Sequence, residues 1–244
     1  MERRLLTLSL VSVASRQQTG LLYAALGDSI TVGYGISPFS SFVTIYSQWL
    51  RPRGIDRCIN RGLNGLTSTQ LLDMLQRDGE LNNTIRQAAV ITVTIGSNDL
   101  LQVVPTLLQG QQINVSLIIN RLRLNMQQIA CRIKQINPYA FVQVAGLYNP
   151  LLYSANTSYG RYCPFAQQVI GRANQVLAMT VRQAGYQFVA VEPWLSKIAG
   201  EGKPVMGRDQ IHPGIYGHQA LANAFENNYC YAMQGNAGQI IVHR

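Results

Sequence analysis

Apolar runs of strand length alternate along this chain with longer segments in which apolar residues recur at helical spacing. The strand-like runs lie at 21–26, 55–60, 89–95, 141–147 and 186–193. The run AVITVTI at 89–95 is β-branched and apolar on both faces over most of its length. This pattern is typical of a central strand that is covered on both sides in a parallel sheet.

The predicted helices fill the segments between these runs. Apolar residues fall at helical spacing in 40–50, 68–76, 115–136, 164–185 and 215–233. The segment 164–185 starts with proline and ends with glycine, which favours a helix with defined ends. Alternating strands and helices predict the α/β class, with a central parallel sheet and helices on both of its faces.

The loops that follow the strands are the places to look for chemistry, because sites in parallel sheets form at the carboxyl ends of the strands. Three such loops cover 27–39, 61–67 and 96–114. The 244 residues contain no internal repeat, no low-complexity linker and no break in composition. We therefore predict one domain over 1–244, with 1–20 as an N-terminal extension.

Two interpretations of the first residues remain open. Segment 1–14 has two arginines, an apolar stretch and the small pair Ser12 and Ala14, as in a very short signal peptide. Leucines and polar residues also alternate over 6–10, as in a half-buried strand. We favour the strand, and with it a cytoplasmic location; a signal peptide would instead imply secretion. No run in the sequence reaches the length of a membrane span.

Composition and charge limit the classes of function that this protein can have. Apolar residues make up 47% of the chain and charged residues 13%, which is typical of a compact globular protein. The net charge is +9, and 17 of the 20 basic residues are arginines. These arginines are scattered, with no basic run and no interleaved aromatic pattern, so we expect a generally basic surface and no nucleic-acid partner.

The four cysteines, Cys58, Cys131, Cys163 and Cys230, have no CxxC spacing and no histidine nearby. A zinc site is therefore not expected. The spacing cannot select among the three possible disulfide pairings, and our prediction is free, mostly buried thiols.

The stretch GDSITVGYG at 27–35 directly follows the first apolar run. Its glycines suit either a turn that binds phosphate or a turn that presents a nucleophile. Phosphate binding favours a lysine and other glycine spacings, which are missing here, and Asp28 would repel an anion. Ser29 therefore suits a nucleophile better, although a serine needs a base because its free hydroxyl is barely ionised.

A candidate base lies in RDQIHPGIYG at 208–217. Asp209 precedes His212 by three residues, and Pro213 fixes a turn directly after the histidine. The carboxylate can hold one imidazole tautomer and leave the second ring nitrogen facing a substrate. The plainer interpretation is that His212 packs at the start of the helix that follows.

Two further loops offer hydrogen-bond donors. In GSND at 96–99, Asn98 carries a neutral amide that could stabilise an oxyanion without adding a competing base. In GLNG at 62–65, the backbone N–H of Gly65 has no side chain to block an approach. Each segment taken alone is equally well an ordinary turn.

The four segments GDSITVGYG, GLNG, GSND and DQIHP occur in this order, each at the end of a predicted strand. Together they resemble the SGNH hydrolases, also called GDSL esterases and lipases. The resemblance covers 27–217, and the glycine segment fits more loosely than the other three.

The resemblance implies a flavodoxin-like three-layer α/β/α fold and a serine ester hydrolase that works through an acyl-enzyme. In that family pattern Ser29 is the nucleophile, His212 the general base and Asp209 the residue that orients it. The oxyanion hole would be the backbone N–H groups of Ser29 and Gly65 and the side-chain amide of Asn98. The pattern requires no metal and no cofactor.

The apolar segment 100–110 follows Asn98 directly. Its side chains Val103, Val104, Leu107 and Leu108 suit an acyl chain, or else pack as one face of an ordinary helix. We expect a small-molecule acyl ester as substrate, with lipids included. A carbohydrate O-deacetylase and a non-catalytic lipid- or glycan-binding module are the alternatives. The sequence leaves chain length and oligomeric state open.

Overall fold

A computed structural model describes residues 20–153 and 157–239. Segment 1–14, for which a strand and a signal peptide were the alternatives, lies outside the described residues. None of the helices in the described part of the chain is long and apolar enough to cross a membrane.

Five parallel strands form one sheet. In chain order they are β1 Leu22–Gly27, β2 Arg57–Gly62, β3 Ala88–Thr94, β4 Phe141–Ala145 and β5 Gln187–Val189. Their order across the sheet is β2-β1-β3-β4-β5. The chain leaves β1 towards β2 and then crosses to β3 on the other side of β1. The crevice beyond the carboxyl ends of β1 and β3 is therefore the expected binding region of such a sheet.

Ten α-helices are present in the described residues. They are α1 Ser29–Val32, α2 Phe42–Leu50, α3 Ser68–Arg77, α4 Gly79–Gln87, α5 Ser97–Leu101, α6 Val104–Leu108, α7 Val115–Ile136, α8 Cys163–Gln183, α9 Glu192–Gly200 and α10 Ile215–Gln239. The start of α3 is fixed by a capping box, in which Thr67 and Gln70 exchange hydrogen bonds between side chain and backbone.

The alternation of side chains along each strand divides the core into two layers. Ala24 and Leu26 of β1 pack with apolar residues of α3, α4, α7 and α8 on one face of the sheet. Tyr23 and Ala25 point to the other face and pack with α2, α9 and α10. The predicted three-layer α/β/α fold is thus confirmed.

The elements differ from the predicted ones in a few places. The strand predicted over 186–193 ends at Val189, because Glu192 and Pro193 start α9. Proline fits the first turn of a helix, where its missing N–H costs no hydrogen bond. Helices α4 and α9 were not predicted, and 96–114 contains the short helices α5 and α6 where we expected a loop.

All four cysteines are free, but the prediction that they are mostly buried is wrong. Cys58 and Cys131 are exposed, and Cys163 and Cys230 are half-buried. Cys58 lies on the edge strand β2, whose residues are mostly exposed or half-buried, and Cys131 lies on the solvent side of α7.

Candidate active site

Ser29 is the first residue of α1, directly after β1. Asp28 caps this short helix, because its carboxylate accepts a hydrogen bond from the backbone N–H of Ile30 at 3.0 Å. Gly33 ends the helix in the left-handed conformation, with a φ of 79°. This tight turn leaves Ser29 8% exposed at the carboxyl edge of the sheet.

The Asp28 carboxyl group is itself buried in a network of hydroxyl groups. The Thr94 hydroxyl donates to Asp28 Oδ1 at 3.0 Å and lies 2.7 Å from the Thr31 hydroxyl. Oδ2 of Asp28 is buried without a hydrogen-bond partner. Burial raises the pKa of Asp28 to about 6, against the opposing effect of these hydrogen bonds and of nearby His212.

His212 lies on the loop between α9 and α10. The backbone N–H of Gly207 donates to the His212 carbonyl at 2.7 Å, and Met206 and Pro213 form an antiparallel bridge. The hydroxyl of buried Tyr148 donates to the carbonyl of Ile211 at 2.8 Å. These contacts brace the loop internally and join it to the loop after β4, so the imidazole has a fixed position.

The His212 ring connects Ser29 with Asp209. Its Nε2 atom lies 2.8 Å from Ser29 Oγ, and its Nδ1 atom lies 2.6 Å from Asp209 Oδ2. The other oxygen of Asp209 accepts the backbone N–H groups of Ile211 and His212 at 3.0 and 2.9 Å. Partial burial would raise the pKa of Asp209, but the hydrogen bonds from His212 and the backbone outweigh it and lower that pKa.

The loops that carry Gly65 and Asn98 are tied to each other and to the end of β1. The backbone N–H of Leu63 donates to the Gly27 carbonyl at 2.9 Å. The side-chain amide of Asn98 donates to the Leu66 carbonyl at 3.0 Å. Gly65 itself has a φ of +74°, a conformation that other residues rarely adopt. The structure therefore brings Ser29, Gly65 and Asn98 to the same edge of the sheet.

Asp99 fixes the orientation of α5, the short helix that carries Asn98. Its carboxylate accepts the backbone N–H of Ser68 at 2.9 Å and the Ser68 hydroxyl at 2.5 Å. Ser68 is the first residue of α3, so the contact joins α5, which follows β3, to the helix after β2. Sequence reasoning missed this pair, because nothing local connects two residues 31 positions apart.

His218 lies outside this arrangement. It is fully buried in α10, and its Nδ1 atom accepts the backbone N–H of Phe42 at 3.1 Å. Burial is the main reason why the pKa of His218 falls to about 4, so the ring is neutral at pH 7. The residue joins α2 to α10 and has a structural role.

An apolar cavity of about 610 Å³ extends from the loops beside this site. Its lining includes Ser97, which precedes Asn98, and Asp209 and Ile211 of the loop that carries His212. Of the residues expected to face an acyl chain, Val103, Val104 and Leu108 line the cavity. The side chain of Leu107 lies outside the described residues.

Sequence reasoning missed the opposite wall of the cavity. That wall belongs to α8, which contributes Phe165, Ala166, Val169 and Ile170. In the sequence these residues look like one apolar face of a core helix, and only the position of α8 against α7 places them around open space. The sequence signal that could have indicated this wall is the apolar stripe at the start of α8.

The loop after β4 closes one side of the cavity, and two polar contacts with α9 hold it. The backbone N–H of Asn149, which lines the cavity, donates to Glu192 Oε2 at 3.0 Å. The Tyr153 hydroxyl donates to Glu192 Oε1. Both carboxylate oxygens of Glu192 therefore accept hydrogen bonds within the fold. Across residues 20–153 and 157–239, no group of three or more His, Cys, Asp or Glu side chains is placed to hold a metal ion.

Solved structures with the same fold include several ester hydrolases. The lipase Lip_vut3 from a goat rumen metagenome has 23% sequence identity and a TM-score of 0.73, over 85% of this chain and 97% of that chain. TesA has 21% identity and a TM-score of 0.60, with 85% and 97% covered. A catalytic variant of Axe2, an acetylxylan esterase from Geobacillus stearothermophilus, has 16% identity and a TM-score of 0.64, with 86% and 94% covered.

At these identities the similarity concerns the fold. No curated protein sequence matches the chain. The sequence profile of the GDSL-like Lipase/Acylhydrolase family, in contrast, matches residues 25–220, which include every segment of the site described above. The chain therefore belongs to the GDSL-like Lipase/Acylhydrolase family, a family of serine ester hydrolases.

Proposed function

We propose that this protein hydrolyses carboxylic esters of medium to long acyl chains, with Ser29, His212 and Asp209 as its catalytic triad. The observation that carries the proposal is the continuous hydrogen-bonded series from Ser29 Oγ through the His212 ring to Asp209, with steps of 2.8 and 2.6 Å. A serine hydroxyl becomes a useful nucleophile only when a base takes its proton. His212 Nε2 is within reach of that proton, and Asp209 favours the tautomer with hydrogen on Nδ1.

The reaction then proceeds in two halves. Ser29 Oγ attacks the ester carbonyl carbon, its proton moves to His212 Nε2, and the carbonyl electron pair moves to oxygen. When the tetrahedral intermediate collapses, the leaving alkoxide takes the proton from Nε2 and departs as the alcohol. Water attacks the acyl-enzyme in the same way, with His212 as base, and the acid leaves as Ser29 regains its proton.

Three donors would stabilise the negative oxygen of each tetrahedral intermediate. They are the backbone N–H groups of Ser29 and Gly65 and one N–H of the Asn98 amide. As the first residue of a helix, Ser29 has no partner for its N–H within that helix. An amide carries two N–H groups, so Asn98 can hold the Leu66 carbonyl and still donate to a substrate. Such donors commonly contribute about 100- to 1,000-fold to turnover.

The size and lining of the cavity favour a substrate whose apolar part is an acyl chain. Its volume of about 610 Å³ is within the usual range of ligand pockets, and aliphatic and aromatic side chains dominate its wall. Burial of each methylene group stabilises a bound chain by about 0.8 kcal/mol. An acetyl group would leave most of this space unfilled, so esters longer than acetate gain more from it. Esters of glycerol and lysophospholipids are candidates of this class.

A panel of p-nitrophenyl esters from acetate to dodecanoate, run beside acetylated sugars, tests the proposal. We expect kcat/KM to rise by up to about 15-fold for every two carbons until the cavity is filled. A clear preference for acetylated sugars would instead favour a carbohydrate O-deacetylase.

Covalent labelling with a fluorophosphonate tests the nucleophile separately. The adduct should form on the unmodified protein and on the control Ser47→Ala, which lies on α2 away from the site. It should not form on Ser29→Ala. If no ester is hydrolysed and no adduct forms, the chain is a non-catalytic binding module.

A further inference from the structure

The mouth of the cavity is apolar where it meets solvent. Leu101, Val104, Leu108, Phe165 and Ile211 all line the cavity, and each is also between 37% and 48% exposed. We term these five residues the apolar rim. Clustered apolar side chains that stay exposed on a folded protein commonly mark a surface for interaction.

Exposed leucines extend the apolar surface beyond the cavity itself. Leu117 is 65% exposed at the start of α7, between the lining residues Val115 and Ile118. Leu152 is 47% exposed, directly after the lining residue Leu151. Neither leucine belongs to the cavity wall. The apolar surface is therefore wider than one acyl chain needs, which indicates contact with something larger than a single substrate molecule.

The part of the chain that builds this surface is basic. Residues 100–191, from the end of α5 to the start of α9, contain seven arginines and lysines and no aspartate or glutamate. Among the described residues that flank this part, the carboxylates of Glu192 and Asp209 are already hydrogen-bonded, to Tyr153 and to His212 respectively.

Three arginines lie beside the cavity, two of them in this basic part. The Arg161 guanidinium lies over the ring of Tyr162, a lining residue, at 4.8 Å. Arg172 donates to the Ser116 hydroxyl at 3.0 Å, next to Leu117. Arg208 lines the cavity. Arginines therefore lie close to the apolar surface around the mouth.

We infer that the apolar rim, with Leu117 and Leu152, docks onto the surface of an anionic phospholipid bilayer. Apolar side chains can enter the boundary between headgroups and acyl chains while arginines bind the anionic headgroups. A second copy of this chain fits less well, because it would bring the same positive charges face to face. The inference rests on the proposed function only in one respect: an acyl chain could then pass from the bilayer straight into the cavity.

Binding to vesicles tests the inference without turnover when the full chain carries Ser29→Ala. Vesicles of phosphatidylcholine are compared with vesicles of phosphatidylcholine mixed with phosphatidylglycerol, in a flotation assay at increasing salt. We expect the protein to float with the anionic vesicles, to float much less with the neutral ones, and to dissociate as salt screens the charges.

Two pairs of substitutions locate the surface. Arg161→Gln with Arg172→Gln should weaken binding by about 25-fold, at about fivefold for each charge near a membrane surface. The control Arg86→Gln with Arg182→Gln removes two exposed arginines at the ends of α4 and α8, towards the opposite edge of the sheet, and should leave binding unchanged. Leu117→Asp with Leu152→Asp should abolish binding, while hydrolysis of p-nitrophenyl acetate by the same variant with Ser29 intact stays unchanged.

Equal binding to both vesicle types, or no binding to either, would overturn the inference. Self-association of the unmodified chain in sedimentation velocity would also overturn the inference if Leu117→Asp with Leu152→Asp removed it. The surface would then bind a second copy of the chain. Vesicle binding without esterase activity in the unmodified chain would reject the proposed triad and leave the docking surface standing.

Discussion

Ser29 Oγ lies 2.8 Å from His212 Nε2, although 183 residues separate the two in the sequence. The contact joins the first turn after β1 to the loop before α10. It is also the point at which the proposed proton transfer takes place, so the two side chains should act as one unit.

Removal of either partner should therefore have nearly the same effect. We expect Ser29→Ala and His212→Ala each to lower kcat by about 10⁴- to 10⁶-fold, and the double substitution to lower it no further. The measurement is kcat on a p-nitrophenyl ester, with urea unfolding to verify that each variant is folded. If the fold-losses in kcat of the two single variants multiplied in the double variant, the two residues would not share one proton transfer.

Asn98 should act mainly on the transition state. Asn98→Ala removes one oxyanion donor, and we expect kcat to fall by about 100- to 1,000-fold with little change in KM. Asn98→Asp is the sharper comparison, since it keeps the shape but replaces the donor with a negative acceptor. If the aspartate variant kept most of the activity, Asn98 would not be an oxyanion donor.

The length of the preferred acyl chain should follow the free space in the cavity. Ala166 lines the wall on α8, and Ala166→Phe would fill part of that space. We expect kcat/KM for octanoate to fall at least about tenfold more than for acetate, because buried methylene groups lose their contacts. The control Gln168→Phe, on the exposed side of the same helix, should leave the ratio of kcat/KM for the two esters unchanged. If Ala166→Phe lowered kcat/KM equally for both esters, acyl chains would bind elsewhere.

Asp28 and His218 should affect the pH dependence of stability in opposite directions. The pKa of Asp28 is raised to about 6, so between pH 4 and 6 the folded chain holds a proton there that the unfolded chain lacks. Its contribution to stability is therefore lost as pH rises through that range. The pKa of His218 is lowered to about 4, so the unfolded chain holds the extra proton and stability is lost as pH falls.

The two effects are each about 3 kcal/mol and nearly cancel in the unmodified protein. Asp28→Asn leaves the His218 contribution alone, so its free energy of unfolding should rise more steeply from pH 4 to 6 than that of the unmodified chain. Urea unfolding at several pH values measures the difference. Asp73→Asn, which removes an exposed carboxylate from α3, is the control. Parallel pH curves for Asp28→Asn and the unmodified chain would show that Asp28 is not protonated in this range.

Local patterns in the sequence were enough to predict the class of fold and to single out Ser29, Asn98, Asp209 and His212. Alternating periodicity identified the sheet, and each of these residues follows a strand or precedes a helix in a short polar segment. Asp209 and His212 are three residues apart, so their contact is nearly local.

The features that the sequence did not reveal depend on packing between distant elements. The wall that α8 adds to the cavity comes from the packing of α8 against α7. The hydrogen bonds from Asn149 and Tyr153 to Glu192 come from the loop after β4 lying against the start of α9. The exposed positions of Cys58 and Cys131 depend in the same way on which strand is at the edge and which helix face meets solvent. Burial of these two cysteines was predicted only from the neutral, largely apolar character of the thiol.

The ties between the loops of the site have a consequence for folding. The Asn60 amide donates to the Thr31 carbonyl at 2.7 Å, and contacts of this kind join segments that are 29 to 183 residues apart. Long-range pairings form late, because the chain loses much entropy before they are made. A partly folded chain can therefore carry most of its helices and still lack an assembled nucleophile. After dilution from urea, recovery of esterase activity should lag behind recovery of helical circular dichroism.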